Sequence, residues 1–302
     1  MCVDYISDLH LDFILDALDE QDEERRMAWV FETYMQNREQ TSEILVIAGD
    51  MGHCNDENIG FLGYLRRYYK HIVLVFGNHD LYLVSGNQKD RYADSFGRLA
   101  DFRSRVEAMD NVHFLSGDCV EIGGIRIAGA GLWYDYSHGL DGGQREEEIT
   151  AAWFKGFNDA NLITTNAEFA SELPNRKHGG FTLDNIAFAN QQKMQLLETV
   201  RIFRPDVIVS HVPPIPEIAM MSDKTGRGTD AVKMNYYCTD TTEFIPYIDG
   251  KVWICGHTHN RADIVKNGCR YLANPFGYFE EDFGVEVRRP IRSVIIEKEN
   301  TE

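Results

Sequence analysis

The sequence predicts a layered α/β fold, and three features carry that prediction. Five short runs rich in β-branched residues, 3–7, 44–48, 72–76, 206–210 and 251–255, end abruptly in polar residues, as buried strands do. Longer stretches with apolar residues at helical spacing, 24–38, 57–69, 93–109 and 185–203, lie between them. From residue 112 the style changes to short strands joined by Gly-rich turns, and the C-terminal end repeats it. Alternating β and α units followed by strand-rich meanders point to layered sheets flanked by helices.

In chain order, VDYIS over 3–7 is the first strand. The acidic stretch DALDEQDEE over 16–24 reads as a solvated loop and helix start, because Asp and Glu favour a helix N-terminus. The following helix carries Met27, Trp29, Val30, Phe31 and Tyr34, which we read as core packing. Strand ILVIA, a helix, strand IVLVF and a second helix complete the first half. Short strands are expected over 112–115, 119–122 and 125–130, and again over 270–273 and 293–297. Two segments fit no strand, 134–184 and 215–249, the second carrying Met220, Met221, Tyr236 and Tyr237. They are expected to be insertions or lids over a site, the alternative being helical subdomains that only pack on the core. With no internal repeat and no low-complexity linker, one domain over 1–302 is the expectation.

Composition narrows the function. The 302 residues are 43% hydrophobic, enough for a sizeable core. Against 48 Asp and Glu stand 30 Lys and Arg, a formal charge of -18, which argues against non-specific nucleic-acid binding and against an anionic membrane surface. A phosphate-bearing substrate then needs local positive charge, which a metal cluster supplies. The six cysteines are scattered without a Cys-x-x-Cys pair. The start MCVDYISDLH has neither a basic nor an apolar leader region, and no apolar run approaches the ~18 residues of a membrane span. A soluble protein of the reducing cytoplasm is expected.

Chemistry-bearing residues stand at the C-terminal ends of the five buried strands, where open α/β sheets place their sites. Asp8 and His10 are two apart, so in extended backbone their side chains point the same way and can share an ion. Gly49-Asp50 follows the second strand. Gly77-Asn78-His79-Asp80 puts a neutral oxygen donor, an imidazole and a carboxylate in consecutive positions; turn chemistry explains the Asn and the Asp but not the His. Ser210-His211 and Gly256-His257-Thr258-His259 end the last two. Each block alone is weak, since a cap, a turn or a satisfied core histidine would explain it. Five in this order, each at a strand end, offer nitrogen and oxygen ligands for two metals and are improbable together by chance.

These blocks resemble the motif series of the calcineurin-like metallophosphoesterases, D-x-H, G-D, G-N-H-(D/E), (G/S)-H and G-H-x-H, matched from Asp8 to His259. Asn274-Pro275-Phe276-Gly277-Tyr278 also looks like the NPxGY segment of stand-alone prokaryotic members and is expected to line the site. The resemblance implies a β-sandwich of two mixed sheets flanked by helices, with a two-metal centre at one edge. It assigns Asp8, His10 and His259 to the first metal, Asn78, His211 and His257 to the second, and Asp50 to both. His79 matches the family's non-ligand histidine, which stabilises the transition state or protonates the leaving oxygen. The implied reaction is hydrolysis of a small phosphomonoester or phosphodiester by in-line attack of a hydroxide held by two divalent ions. Manganese is the family-level expectation, and mixed N/O ligation also admits Fe, Zn, Ni or Co.

Physical chemistry supports that assignment independently. Two ions ~3.5–4 Å apart lower the pKa of a bound water towards ~7. With only Asp8 and Asp50 as anionic ligands the centre stays positive, which answers how an acidic chain recruits an anion. His79 suits acid catalysis because an unperturbed imidazole titrates near ~6.5. Asp80 is a candidate to orient it, with a surface turn as the alternative.

One departure stands out. Many members carry an Asp three residues after the shared Asp, whereas this chain has His53, in GDMGHCND. Either His53 contacts substrate, or Asp56 or Asp80 supplies the orientation, or His79 is held differently. Trp133, Tyr134 and Asp135 are read as buried packing in preference to a stacking wall, and Arg66, Arg67, Arg91 and Arg227 are candidates for gripping a second phosphate. Two other readings compete: a non-catalytic metal-binding scaffold of the same fold, and a metallohydrolase of amides. Retention of every ligand and of His79 speaks against the first, the motif order against the second.

Overall fold

Strands in which every residue is apolar need cover on both faces, and the arrangement of sheets and helices supplies it. The structure, a computed structural model, describes residues 1–16, 18, 20, 22–36, 42–166, 168–175, 180–220, 233–278 and 290–297. The chain runs β1 (Cys2–Ile6), α1 (Leu11–Leu15), α2 (Glu23–Val30), β2 (Ile44–Ala48), α3 (Asn55–Leu65), β3 (His71–Val75), α4 (Gly86–Arg91), α5 (Ser95–Glu107), β4 (Val112–Phe114), β5 (Asp118–Ile122) and β6 (Ile125–Gly129). It continues through α6 (Ser137–Asp141), α7 (Glu146–Gly156), α8 (Asp159–Leu162), β7 (Ala170–Pro174), β8 (Phe181–Leu183), α9 (Asn185–Phe203), β9 (Val207–Val209), α10 (Pro216–Met220), β10 (Val252–Cys255), β11 (Ala262–Lys266), β12 (Cys269–Ala273) and β13 (Arg292–Ile295).

Two mixed sheets result. One has the order β13-β1-β2-β3-β4, the other β11-β12-β10-β9-β6-β5. In the first, β1 to β4 are parallel and β13 is antiparallel to β1. In the second, β6, β9, β10 and β12 are parallel, with β5 and β11 antiparallel at the edges. Alternate strand residues explain the layers. Val3, Tyr5, Ile44, Val46, Val73 and Val75 of the first sheet share one apolar cluster with Ile125, Ile127, Val207, Val209, Ile254 and Leu272 of the second. Leu45, Ile47, Ile72 and Leu74, one residue out of phase, pack in a different cluster with helical residues such as Phe61, Leu62, Phe102 and Val106. This is the expected sandwich flanked by helices.

Predicted and observed elements agree in the buried strands and in α9, which Asp184 caps by accepting from the Ala187 amide and which ends at Arg204 with a left-handed φ of 47°. Three differences have physical causes. The segment 134–184, read as strandless, pairs β7 with β8 as a small separate sheet whose residues are mostly exposed, so no apolar run announced it. The helix expected over 24–38 is α2 followed by a π-helical turn, Phe31–Met35; residues 37–38 lie outside the described residues. On it Met27, Val30, Phe31 and Tyr34 are buried as expected, but Trp29 is 41% exposed and packs edge-on against Tyr34. Trp133, Tyr134 and Asp135 are buried, in keeping with the packing reading. No helix among the described residues is long and apolar enough to cross a membrane, and the six cysteines are free thiols.

Candidate metal centre

At the C-terminal ends of β1, β2 and β10 the backbone turns sharply out of extended geometry. Asp8, His10, Asp50, His257 and His259 all have left-handed φ, between 44° and 71°. Such a conformation costs a non-glycine residue on the order of 1–3 kcal/mol and persists where its surroundings fix it, typically at functional sites. Glycine is needed where backbone meets side chains: a Cβ on Gly77 would lie 2.1 Å from Asp50 Oδ1 and 2.7 Å from His211 Nε2. On Gly49, with φ +84°, it would lie 2.5 Å from His211 Nδ1.

These turns bring together all seven residues singled out as ligands. His10 Nε2 lies 3.1 Å from His259 Nε2, which is 3.6 Å from Asp8 Oδ1. Asn78 Oδ1 lies 3.1 Å from both His211 Nε2 and His257 Nδ1. Asp50 Oδ2 stands between the groups, 3.9 Å from His10 Nε2 and 3.3 Å from His211 Nε2. The supporting hydrogen bonds select which atoms face inward. His211 Nδ1 donates to the Ala48 carbonyl at 2.9 Å and His257 Nε2 to the Tyr236 carbonyl at 2.7 Å, leaving Nε2 and Nδ1 respectively for the site. Asp8 Oδ1 accepts from the His257 amide at 2.9 Å, and Asp50 Oδ1 from the His79 amide at 2.9 Å.

Burial holds His10 and His257 down to about 3, so both imidazoles are neutral at pH 7 and fit to ligate. Burial also raises the Asp8 carboxyl, His259 and His211 offsetting it only in part. At Asp50 burial is outweighed by His211, His79 and His10, which hold the carboxyl well below its ordinary range. The reciprocal effect at His211 overrides burial and raises it to about 9. A cation at this point would take the place of that proton.

The donor set fits divalent ions. Atoms bound ~2.1 Å from a shared ion lie about 3.0–3.4 Å apart at octahedral or tetrahedral angles, and four of the distances above are 3.1–3.3 Å. The buried Nδ1 of His10 has no hydrogen-bond partner, which leaves Nε2, the atom facing His259, as that ring's polar contact. Oxygen and imidazole donors together suit first-row divalent metals.

His79 stands beside this cluster, its ring centre 4.4 Å from that of His10. Its Nδ1 meets His53 Nε2 at 2.8 Å and its Nε2 meets the Tyr278 hydroxyl at 3.1 Å. Burial pushes this imidazole well below its ordinary value, with Asp50 opposing. His53 is held in turn by Asp12, whose Oδ2 is 2.6 Å from His53 Nδ1 and whose Oδ1 accepts from the His53 amide at 3.0 Å. Tyr278 arrives because 274–277 runs alongside the end of β1, with the Phe276 amide on the Ser7 carbonyl and the Gly277 amide on that of Asp8. Its ring stacks on His10 at 4.5 Å.

Asp80 is not a surface turn residue, nor does it orient the His79 ring. Its buried carboxylate accepts from the amides of Asp50, Met51 and Gly77, lacing the β2 and β3 loops together, and burial followed by Asp50 raises it to about 6. Asp56 pairs on the surface with Arg105 and Arg91, and Arg67 pairs with Glu24. Arg66 is exposed, and Arg227 lies outside the described residues.

Three supporting residues escaped the sequence reading. Asp12 extends D-x-H to D-x-H-x-D, a signal that was present. Asp159, at the start of α8, had none. This buried carboxylate accepts from Asn78 Nδ2 at 2.9 Å, Tyr134 at 2.7 Å and Tyr82, so that Oδ1 of Asn78 is the atom left for the site. Burial raises Asp159 against these bonds. Arg98 is fully buried and donates to the carbonyls of His79, Tyr82 and Gly52, clamping two site loops.

Comparison with known proteins bears on the fold and the family. The chain aligns with the crystal structure of phosphopantetheinyl hydrolase from Mycobacterium tuberculosis at a TM-score of 0.58 and 18% identity, covering 92% of this chain and 90% of that one. At that identity the likeness speaks for the fold. A second solved structure aligns at a TM-score of 0.44 and 15% identity over 92% of this chain and 91% of that one. No curated protein matches. The family pattern described as Calcineurin-like phosphoesterase matches residues 1–261, most of the chain, and with its motif residues gathered at one edge of the sandwich the chain belongs to that family of metal-dependent phosphoester hydrolases.

Proposed function

We propose that the chain hydrolyses small phosphomonoesters or phosphodiesters at a two-metal centre. Asp8, His10 and His259 hold one ion, Asn78, His211 and His257 the other, and Asp50 touches both. The observation that carries this reading is the pairing of two donor groups at 3.1–3.3 Å with Asp50 Oδ2 between them. When bound, the ions supply Lewis-acid charge to the phosphoryl oxygens and the means of ionising a water near neutral pH. Two carboxylates leave that edge positive, a local attraction for phosphate in a chain of formal charge -18.

The chain's own groups supply the rest. Water attacks phosphorus in line with the leaving oxygen, and His79 Nε2, turned towards the Tyr278 hydroxyl, delivers the proton that oxygen needs. Phe13, 47% exposed and edge-on to His53 and Tyr278 at 5.6 and 5.3 Å, walls one side of the site. We take 134–184 and 215–249 as insertions of a single domain whose described residues reach the other side of the site; residues 167, 176–179 and 221–232, Met221 among them, lie outside the described residues. Contacts from Asp159 to Asn78 and from the Tyr236 carbonyl to His257 support this. Manganese is our choice of resident ion, and the reducing cytoplasm our choice of compartment, in keeping with six free thiols.

Metal-stripped protein restored with Mn²⁺ and offered p-nitrophenyl phosphate and its bis-ester tests the reading. Metal-dependent turnover that disappears in Asp50→Asn supports it, and the preferred ester separates monoesterase from diesterase. Two bound ions per chain with no turnover on either ester would instead favour a scaffold.

A further inference from the structure

We propose that Asp12 is a positioning residue for this hydrolysis, acting through His53 to hold the His79 ring in the orientation that presents Nε2 to the leaving oxygen. The proposal rests on the general-acid reading of His79 and goes beyond it by naming what aims the acid.

The geometry is a four-member chain. Asp12 grips a single residue with both oxygens, the His53 amide at 3.0 Å and His53 Nδ1 at 2.6 Å. A carboxylate only accepts, so Nδ1 of His53 must donate, and its remaining nitrogen, Nε2, is the one that meets His79 Nδ1 at 2.8 Å. With Nδ1 engaged, His79 has Nε2 alone for the site, and there the Tyr278 hydroxyl lies 3.1 Å away. The planes of His53 and His79 differ by 11°, and Tyr82 packs against both rings at 5.5 and 4.4 Å, so the pair has little freedom to swing. Asp12 itself is fixed in the short helix that begins straight after His10, and the His10 and Leu11 amides bond the carbonyls of Asp50 and Met51. A Cβ on Gly52 would fall 2.9 Å from Asp12 Oδ1, so the loop bearing His53 approaches Asp12 only because that residue is glycine. The strand end that carries His10 is thereby coupled to the acid.

In the step served, the bond from phosphorus to the leaving oxygen breaks and its electron pair goes to that oxygen. An anionic phosphoryl group beside the ring opposes the burial that otherwise disfavours its charged form; the oxygen then takes the Nε2 proton of the doubly protonated His79, which is left neutral with its other proton on Nδ1 towards His53.

Leaving-group dependence distinguishes aiming from general support, because an acid matters more for a poor leaving group. On holoprotein of verified metal content, Asp12→Asn offers one acceptor where two donors need one each. We expect kcat on phenyl phosphate to fall about tenfold more than on p-nitrophenyl phosphate, or on the corresponding bis-esters if those are the class turned over, with KM and metal content unchanged. Asp12→Glu should recover part of the loss, and Asp12→Asn should add little in a His53→Ala background. An equal loss on both substrates, a loss that tracks metal content, or additive effects with His53→Ala would overturn the proposal. His79→Ala separates the two levels. If it shows the leaving-group dependence and Asp12→Asn does not, the relay alone is wrong; if His79→Ala lacks it, the reading of His79 fails and the relay falls with it.

Discussion

Along the edge where the two sheets meet, the loops after β1, β2 and β3 carry the oxygen donors Asp8, Asp50 and Asn78, together with His10 and His79, whereas those after β9 and β10 carry only imidazoles, His211, His257 and His259. Carboxylate charge comes from one sheet and imidazole nitrogen from the other. Neither half makes a site, since each proposed ion draws ligands from both. The contrast implies that ions bound as proposed would also tie the open edge of the sandwich, and that the two halves should fail differently when broken.

The first sheet should fail hardest. Asp50→Asn removes the carboxylate whose Oδ2 stands between His10 Nε2 and His211 Nε2, and kcat/KM should drop on the order of 10³-fold or more, since the ions contribute several kcal/mol of charge stabilisation. Steady-state kinetics on an aryl phosphate or its bis-ester measures it. On the second sheet, His257→Ala should cost one ion per chain and leave the other, roughly a 10²-fold loss in kcat; elemental analysis beside kinetics checks the pairing of count and rate. If both substitutions empty both sites equally, the asymmetry between the sheets is wrong.

Weaker effects sharpen the comparison. Asp159→Asn leaves Asn78 in place but replaces its carboxylate partner with an amide, so metal affinity should fall about 10–100-fold with kcat at saturating metal largely kept. Competition with a chromogenic chelator reads this directly. Stripping the metals should lower the melting temperature by roughly 5–10 °C, since a ligand at 100 times its Kd contributes about 2.7 kcal/mol. Restoring Mn²⁺ should reverse the shift, and an unchanged melting temperature would mean the edge is closed without ions.

Sequence legibility follows the same division. Ligand types were visible because they stand directly after strands such as ILVIA and HIVLV, in which nearly every residue is buried and a polar residue is therefore conspicuous. β11 was missed because ADIVK alternates towards solvent at a sheet edge, and β7 because ASELP is largely exposed and ends in proline. Asp159 could not be read at all: its partners Asn78 and Tyr82 are 81 and 77 residues away, and nothing local to α8 marks it. Asp80 misled for the opposite reason. Its neighbour His79 suggested a side-chain partner, whereas a buried carboxylate beside three free amides of folded loops takes those instead.

The most direct test is anomalous diffraction from crystals soaked in Mn²⁺. Two peaks are expected, one among Asp8, His10 and His259 and one among Asn78, His211 and His257, both against Asp50. A single peak, or a pair of which one avoids Asp50, would contradict the account.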